Sequence, residues 1–269
     1  MHSPTEDSTV STAAERPAAR PSAPPVEPLD LSEKGRREGR VISLDRRLFM
    51  KFTAFTGCPD PRAAIERLAV GGVEGVLYLD ANDPQGVGLM AVSEDENFFV
   101  TGLRDVLNDA PFDGFEHRPE YDMLGRTYSI GYEPDLEDTL LVKPRQKLLS
   151  PSNAWAVWYP LQRSKRFQIL EPEHQRRILS EHGVLARRYG SAGVAADIRL
   201  ACHGLDREDN DFIVGLVGAR LHPLSAVVQE MRKTEQTAQY LDRLGPFFVG
   251  RVAWQSPLRT SASQSAVRP

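Results

Sequence analysis

One order of elements occurs twice in this chain and limits the folds open to it. In the first half, Leu48–Phe55 alternates as a strand, and Asp60 followed by Pro61 opens a helix through an N-cap and a first-turn proline. Val73–Leu79 and Val87–Val92 read as strands around an Asp83–Gly86 turn. Glu96–Asn108 reads as a helix and Arg126–Tyr132 as a fourth strand. The second half repeats the order. Ala154–Tyr159 is a strand ended by Pro160, and Glu171–Arg188 is a helix stopped by Gly190. Asp197–His203 and Asp211–Val217 are strands. Pro223–Leu241 is a helix with Leu224, Val227, Val228 and Met231 at i, i+3, i+4 and i+7. Pro246–Trp254 is the last strand. Two βαββαβ units in tandem predict an α+β fold. The halves, 41–150 and 151–255, are each ferredoxin-like and associate into a β-barrel-like body, a dimeric-αβ-barrel subunit.

Residues 1–40, rich in Pro, Ala and Ser, have little to bury, and 256–269 are polar; both are expected to be disordered tails. The 37 acidic and 33 basic side chains leave a net charge of -4 with no basic stripe, so no nucleic-acid partner is expected. Cys58 and Cys202 are too few for a disulfide framework or a four-cysteine metal site. No apolar run approaches the roughly 20 residues of a membrane span, and the first 40 residues lack a secretory apolar stretch. The expected setting is the cytoplasm, with no membrane partner. Phosphate-binding glycine loops and a GxSxG elbow are absent from the sequence.

A few residues could carry chemistry. His182 shares a helix face with Ile178, Leu185 and Tyr189, which suits a satisfied core histidine or an axial iron ligand. On the strand Asp197–His203, Ile198, Leu200 and Cys202 share the face expected to pack on the helices, and Arg199 points the other way. There it is either a solvated strand residue or a pocket guanidinium for an anion. Tyr159 is either an aromatic at a sheet edge or a phenol for proton donation or one-electron oxidation. Arg232 and Thr237 form a solvated helix pair or bind carboxylates. Lys143, Arg145 and Lys147 form a basic stretch before the first strand of the second half, either solvated or binding carboxylates.

An ordered series in the second half resembles the chlorite dismutase superfamily. It comprises Trp158-Tyr159-Pro160-Leu161, Glu181-His182-Gly183 with Tyr189, Arg199 with His203 and Gly204-Leu205-Asp206, Asp211-Phe212, Glu230-Met231-Arg232, and Gly245-Pro246-Phe247-Phe248-Val249-Gly250. Residues 150–255 carry the likeness. Residues 45–145 match in layout, with Leu124-Gly125-Arg126 a local match.

The resemblance implies a haem-dependent oxidoreductase whose pocket lies in the C-terminal half, carrying haem b or iron-coproporphyrin (coproheme), and a homopentamer. By position, His182 matches the proximal iron ligand and Tyr159 the tyrosine that coproheme decarboxylases oxidise to a radical. Arg232 and Thr237 match residues that hold propionates, and Arg199 matches the distal position. Two departures qualify the match. The loop Gly190–Ala196 is long, and counting back from Gly204 instead places Asp197 at the distal position. The chain also combines a decarboxylase-like tyrosine with a dismutase-like arginine. The favoured activity is peroxide-dependent decarboxylation of coproheme to haem b. The alternatives are chlorite decomposition or general haem peroxidase activity, and a non-enzymatic haem carrier or sensor.

Overall fold

The computed structural model describes residues 28–258. It comprises two units, 1–31 and a body beginning at Ser32; the described part of the first, 28–31, forms no helix or strand. The expected tails lie outside the described residues over 1–27 and 259–269. Both boundaries change. Glu33–Arg37 (β1) and Arg40–Leu44 (β2) pair as a hairpin, closed by Glu38 and Gly39 at positive φ. Ser256 exchanges hydrogen bonds with the Gly75 backbone and is buried, so it belongs to the body.

The first half continues with β3 (Phe49–Thr56), α1 (Arg62–Val70), β4 (Gly75–Asp80), β5 (Val87–Ser93), α2 (Gly102–Leu107), β6 (Glu116–His117) and β7 (Met123–Arg126). A helical segment ending in α3 (Lys143–Leu148) leads to the second half. That half holds β8 (Trp155–Arg163), α4 (Lys165–Gln168), α5 (Pro172–Ser191), β9 (Ala196–Ala201) and β10 (Phe212–Gly218). It ends with α6 (Leu221–Met231), α7 (Glu235–Gln239), β11 (Leu241–Leu244) and β12 (Phe248–Gln255).

Several expected elements differ: the helix 96–108 is a 3-10 turn over Glu96–Val100 followed by α2, and α5 runs past Gly190 to Ser191. The fourth strand ends at Arg126; Thr127 N still donates to the Leu48 carbonyl, and from Ser129 on the amides bond to carboxylates instead of a ladder, Ser129 N to Glu33 and Ile130, Gly131 and Tyr132 N to Glu133. β8 runs through Pro160 to Arg163. Along one side β8 pairs β12 up to Trp158 and β11 from Leu161, so Pro160 sits where the neighbour changes and its missing N–H leaves no ladder partner unserved. Its carbonyl accepts from Gly245 N. The expected helix 223–241 stops at Met231, whose carbonyl accepts from the Thr234 hydroxyl, and a short α7 follows.

Ten strands form one sheet. All but β6 and β11 follow a closed path, β8–β10–β9–β7–β3–β5–β4–β12 and back to β8, with every pairing antiparallel. The two ferredoxin-like halves thus close one barrel. Inside it Phe52, Tyr78, Trp158 and Phe248 are fully buried among aliphatic side chains. Outside it α1 and α2 cover β3–β5, and α5 and α6 cover β8 and β10.

Glycine makes the aromatic interior possible. A Cβ on Gly215 would stand 2.2 Å from the Trp158 ring, and one on Gly88 2.5 Å from Phe52. Gly215→Ala is therefore expected to destabilise the fold by about 1–3 kcal/mol, read as a lower urea midpoint. An unchanged midpoint would show that Trp158 repacks freely.

Candidate functional site

Strand register assembles the site. β10 lies between β8 and β9, with Val214 opposite Tyr159 on one side and Arg199 on the other. Residues directly opposite share a face. Tyr159, Val214 and Arg199 therefore form one row on the outer barrel surface, and Val157, Leu216 and Asp197 form the next. This corrects the expected facing of β9. Ile198, Leu200 and Cys202 point into the barrel core, and the helices lie on the Arg199 face. In a closed barrel the most apolar side of a strand faces the interior, leaving the mixed side for the helices.

α5 packs on β9, α6 and α7. Between it and the two rows lies a cavity of about 40 Å³, lined by Tyr159, His182, Tyr189, Asp197, Arg199 and Met231 among others. Both Asp197 and Arg199 enter the pocket. The structure thus brings together His182, Tyr159 and Arg199, as the resemblance implies, and adds Asp197.

The His182 ring is half-buried, and its Nδ1 is enclosed without a hydrogen-bond partner among the described residues. Burial, with the positive charges of Arg199 and Arg163, pushes its pKa down from 6.5 to about 4. At neutral pH the imidazole is uncharged, the state in which it donates a lone pair to a metal. Among the described residues no group of three or more His, Cys, Asp and Glu could hold a metal ion.

Tyr159 is buried and stacks on Phe247, with ring centroids 4.5 Å apart. The Arg232 guanidinium lies over the same Phe247 ring, 5.9 Å from its centroid. Burial raises the Tyr159 phenol pKa and Asp197 adds to the effect, so the group stays protonated. Arg199 Nε pairs with Asp197 Oδ2 at 3.0 Å. Lys147 Nζ lies 3.4 Å from Asp197 Oδ1 and donates to the Asp197 carbonyl at 2.6 Å. Burial pushes the Asp197 carboxyl up, and the two cations outweigh it, leaving the pKa below the usual carboxylate value.

The other candidates separate. Thr237, on α7, accepts from the Thr234 hydroxyl and is not among the residues lining this cavity. Arg145 is buried against Glu74 at 2.7 Å and Glu94 at 3.3 Å, a structural tie that removes it from any solvated basic stretch. Lys143 and Lys147 line a second cavity of about 130 Å³, which shares Asp197 and Arg199 with the first.

Arg163 was not among the sequence candidates. Its guanidinium lies over Phe167 at 4.9 Å and Phe212 at 4.5 Å, and its Nε is buried without a hydrogen-bond partner among the described residues. The signal was present, since 159, 161 and 163 alternate onto one face. Ending the strand at Pro160 hid it. Tyr128, half-buried against Phe212 and lining the second cavity, lay in a segment read as strand, with nothing to single it out.

A closed barrel of two ferredoxin-like halves, with helices over its outer faces, defines the dimeric αβ-barrel class. Within that class the chain belongs to the chlorite dismutase family, whose model, described as chlorite dismutase, matches residues 110–253. The coproheme decarboxylase of Mycolicibacterium smegmatis is 28% identical over 180 residues, which span 58% of this chain and 74% of that protein. Two solved structures share the fold. A heme-binding protein from Thermus thermophilus has a TM-score of 0.60 at 18% identity, covering 77% of this chain and 91% of its own. A mutant chlorite dismutase from Candidatus Nitrospira defluvii has a TM-score of 0.57 at 16% identity, covering 80% and 94%.

The shift at His182 has a thermodynamic consequence. Between pH 6.5 and about 4 the unfolded chain binds a proton that the folded apoprotein does not. The stability contributed by this difference is present above 6.5 and falls as pH drops through the window. An NMR titration of the apoprotein should place the His182 midpoint near 4, and His182→Gln should flatten that part of the stability curve. A midpoint near the ordinary 6.5 would show a solvated ring.

Proposed function

We propose that the protein binds an iron porphyrin between α5 and the Tyr159–Val214–Arg199 row, and that it decarboxylates coproheme to haem b with peroxide. The observation that carries this reading is the enclosed neutral imidazole of His182, lining one cavity with a protonated phenol and a guanidinium. The His182 imidazole fits iron, and Arg232, outside the cavity lining but over the Phe247 ring that stacks on Tyr159, is the guanidinium that would take a propionate. Thr237 is assigned a propionate by the resemblance alone. A homo-oligomer, pentameric by resemblance, and a cytoplasmic setting belong to the same proposal.

A cavity of about 40 Å³ holds at most a few waters, so loading requires α5 to draw away from the sheet. The helix is suited to this. Only Ile178 along it is fully buried, and it is tied to its neighbours by polar contacts, Tyr189 to Glu230 at 2.8 Å and Glu181 to the Glu235 amide at 3.0 Å.

In this reading coproheme is the substrate, and its iron supplies the oxidising power of peroxide. Each of the two propionates that are lost reacts as R–CH2–CH2–COO⁻ + H2O2 + H⁺ → R–CH=CH2 + CO2 + 2 H2O. His182, from α5, would hold the iron. Tyr159, raised by burial, keeps its proton until it is oxidised, then recovers a hydrogen atom from the propionate side chain. Arg232, through Phe247, fixes the ring stack beside that phenol. Positioning is the main requirement, because hydrogen transfer needs contact between the phenol and the propionate. A second reading, peroxidase or chlorite chemistry, draws on Arg199, which lies in the same row as Tyr159.

The experiment is a Soret titration of the apoprotein with coproheme and with haem b, followed by peroxide and mass spectrometry of the porphyrin. Stepwise loss of two carboxyl groups is expected, as is its abolition in Tyr159→Phe with porphyrin binding retained. His182→Ala should weaken binding and alter the Soret band. Tight haem b binding without carboxyl loss from coproheme would favour the second reading, or a carrier if peroxide and chlorite are also inert.

A further inference from the structure

Where the two cavities meet, three charged groups stand together. Arg199 and Asp197 lie two apart on β9 and so share its outer face. Lys147 reaches them from α3. The other charges lining the second cavity are engaged elsewhere. Glu133 accepts from the amides of Ile130, Gly131 and Tyr132, and Lys143 lies 2.6 Å from Asp138. Arg163, also close enough to act on His182, rests between Phe167 and Phe212.

A guanidinium and an ammonium turned to one spot would hold a small anion such as a halide or an oxyanion. Here that spot already contains a carboxylate. Asp197 Oδ2 takes Arg199 Nε at 3.0 Å, and Oδ1 faces Lys147 Nζ at 3.4 Å. The Lys147 bond to the Asp197 carbonyl, at 2.6 Å, keeps the ammonium there. A carboxylate carried on the same strand competes with a free anion at a high effective concentration. All three side chains retain solvent contact, so the network contributes little to folding. Its effect is on what can approach.

We propose that Asp197 is a specificity-determining residue: its carboxylate fills the anion position of Arg199 and Lys147, so the site admits a neutral oxidant such as hydrogen peroxide and turns away small anions. Naming the oxidant rests on the proposed function; the occupied anion position does not. The same contact gives Arg199 a partner when a porphyrin covers this face, where a lone guanidinium would be costly to bury. Arg199, dismutase-like by position, is thereby withheld from the anion that a dismutase would hold.

Two measurements test this separately from porphyrin chemistry. In the apoprotein, with chloride as the probe, chlorine NMR should show no more line broadening for wild type than for Arg199→Gln. Asp197→Asn should add broadening that the double variant Asp197→Asn/Arg199→Gln removes. No added broadening in Asp197→Asn, nor in Asp197→Ser, with circular dichroism unchanged, would overturn the proposal. In the porphyrin-loaded protein, Asp197→Asn should bind azide roughly tenfold more tightly, reflecting one neighbouring charge removed, and neutral imidazole unchanged. Equal gains for both ligands would overturn charge selection. Should the protein bind no porphyrin, the proposed function fails, and the chloride measurement still decides whether Asp197 occupies an anion position.

Discussion

The close contact of Trp158 with the backbone of Gly215 is the constraint on which the rest of the site depends. Trp158 fills the barrel interior, and only a residue without Cβ on the neighbouring strand lets β10 lie beside it. That contact locks β8 against β10 in one register. A slip of one residue would drive a side chain into the indole and turn Tyr159 inward. Once Trp158 faces in, Tyr159 must face out, and Val214 and Arg199 follow by pairing. The geometry of the candidate site is thus set from inside the barrel by residues that do not line the cavity.

The closed barrel also decides which side of each strand meets the helices. In an open ferredoxin-like sheet the apolar face of β9 would lie under its helices, as the alternation of Ile198, Leu200 and Cys202 suggests. Closure gives that face to the interior, shared with the other half through Met50, Met123 and Phe52. α5 is left over a mixed surface of Tyr159, Asp197 and Arg199, with Ile178 its only fully buried residue. A helix so held can carry a histidine over charged and aromatic groups and still move away from them. Its polar ties to Glu230 and Glu235 are replaceable by water at small net cost.

Much of this was legible in the sequence, and the limits have physical causes. The tandem order, the histidine helix and the apolar seam of α6 follow from periodicity, a local property. What escaped depended on partners distant in sequence. Pro160 is a sound local stop, yet β8 continues because its neighbour changes from β12 to β11 at that residue. Ending the strand there hid Arg163, whose alternation with Tyr159 is otherwise plain. Arg126–Tyr132 has strand-like composition, but the Glu33 and Glu133 carboxylates take the amides of residues 129–132. Arg145 looks like one of three solvated cations until Glu74 and Glu94, 71 and 51 residues away in sequence, close on it.

The pairing of a decarboxylase-like tyrosine with a dismutase-like arginine looks contradictory if each residue is taken as the mark of one reaction. The charges around them give a different account. A guanidinium acts as an anion holder only when its donors are available. Arg199 has Asp197 at 3.0 Å, on the same strand and two residues away, and Lys147 braces that carboxylate from α3. The arginine can still present its remaining donors to an uncharged oxidant, while its pull on a free anion is offset. The buried Tyr159 phenol feels the same Asp197 charge, which strengthens its hold on its proton. One carboxylate thus acts on both residues, weakening the feature suited to anion chemistry and reinforcing the protonated phenol that the decarboxylation reading requires.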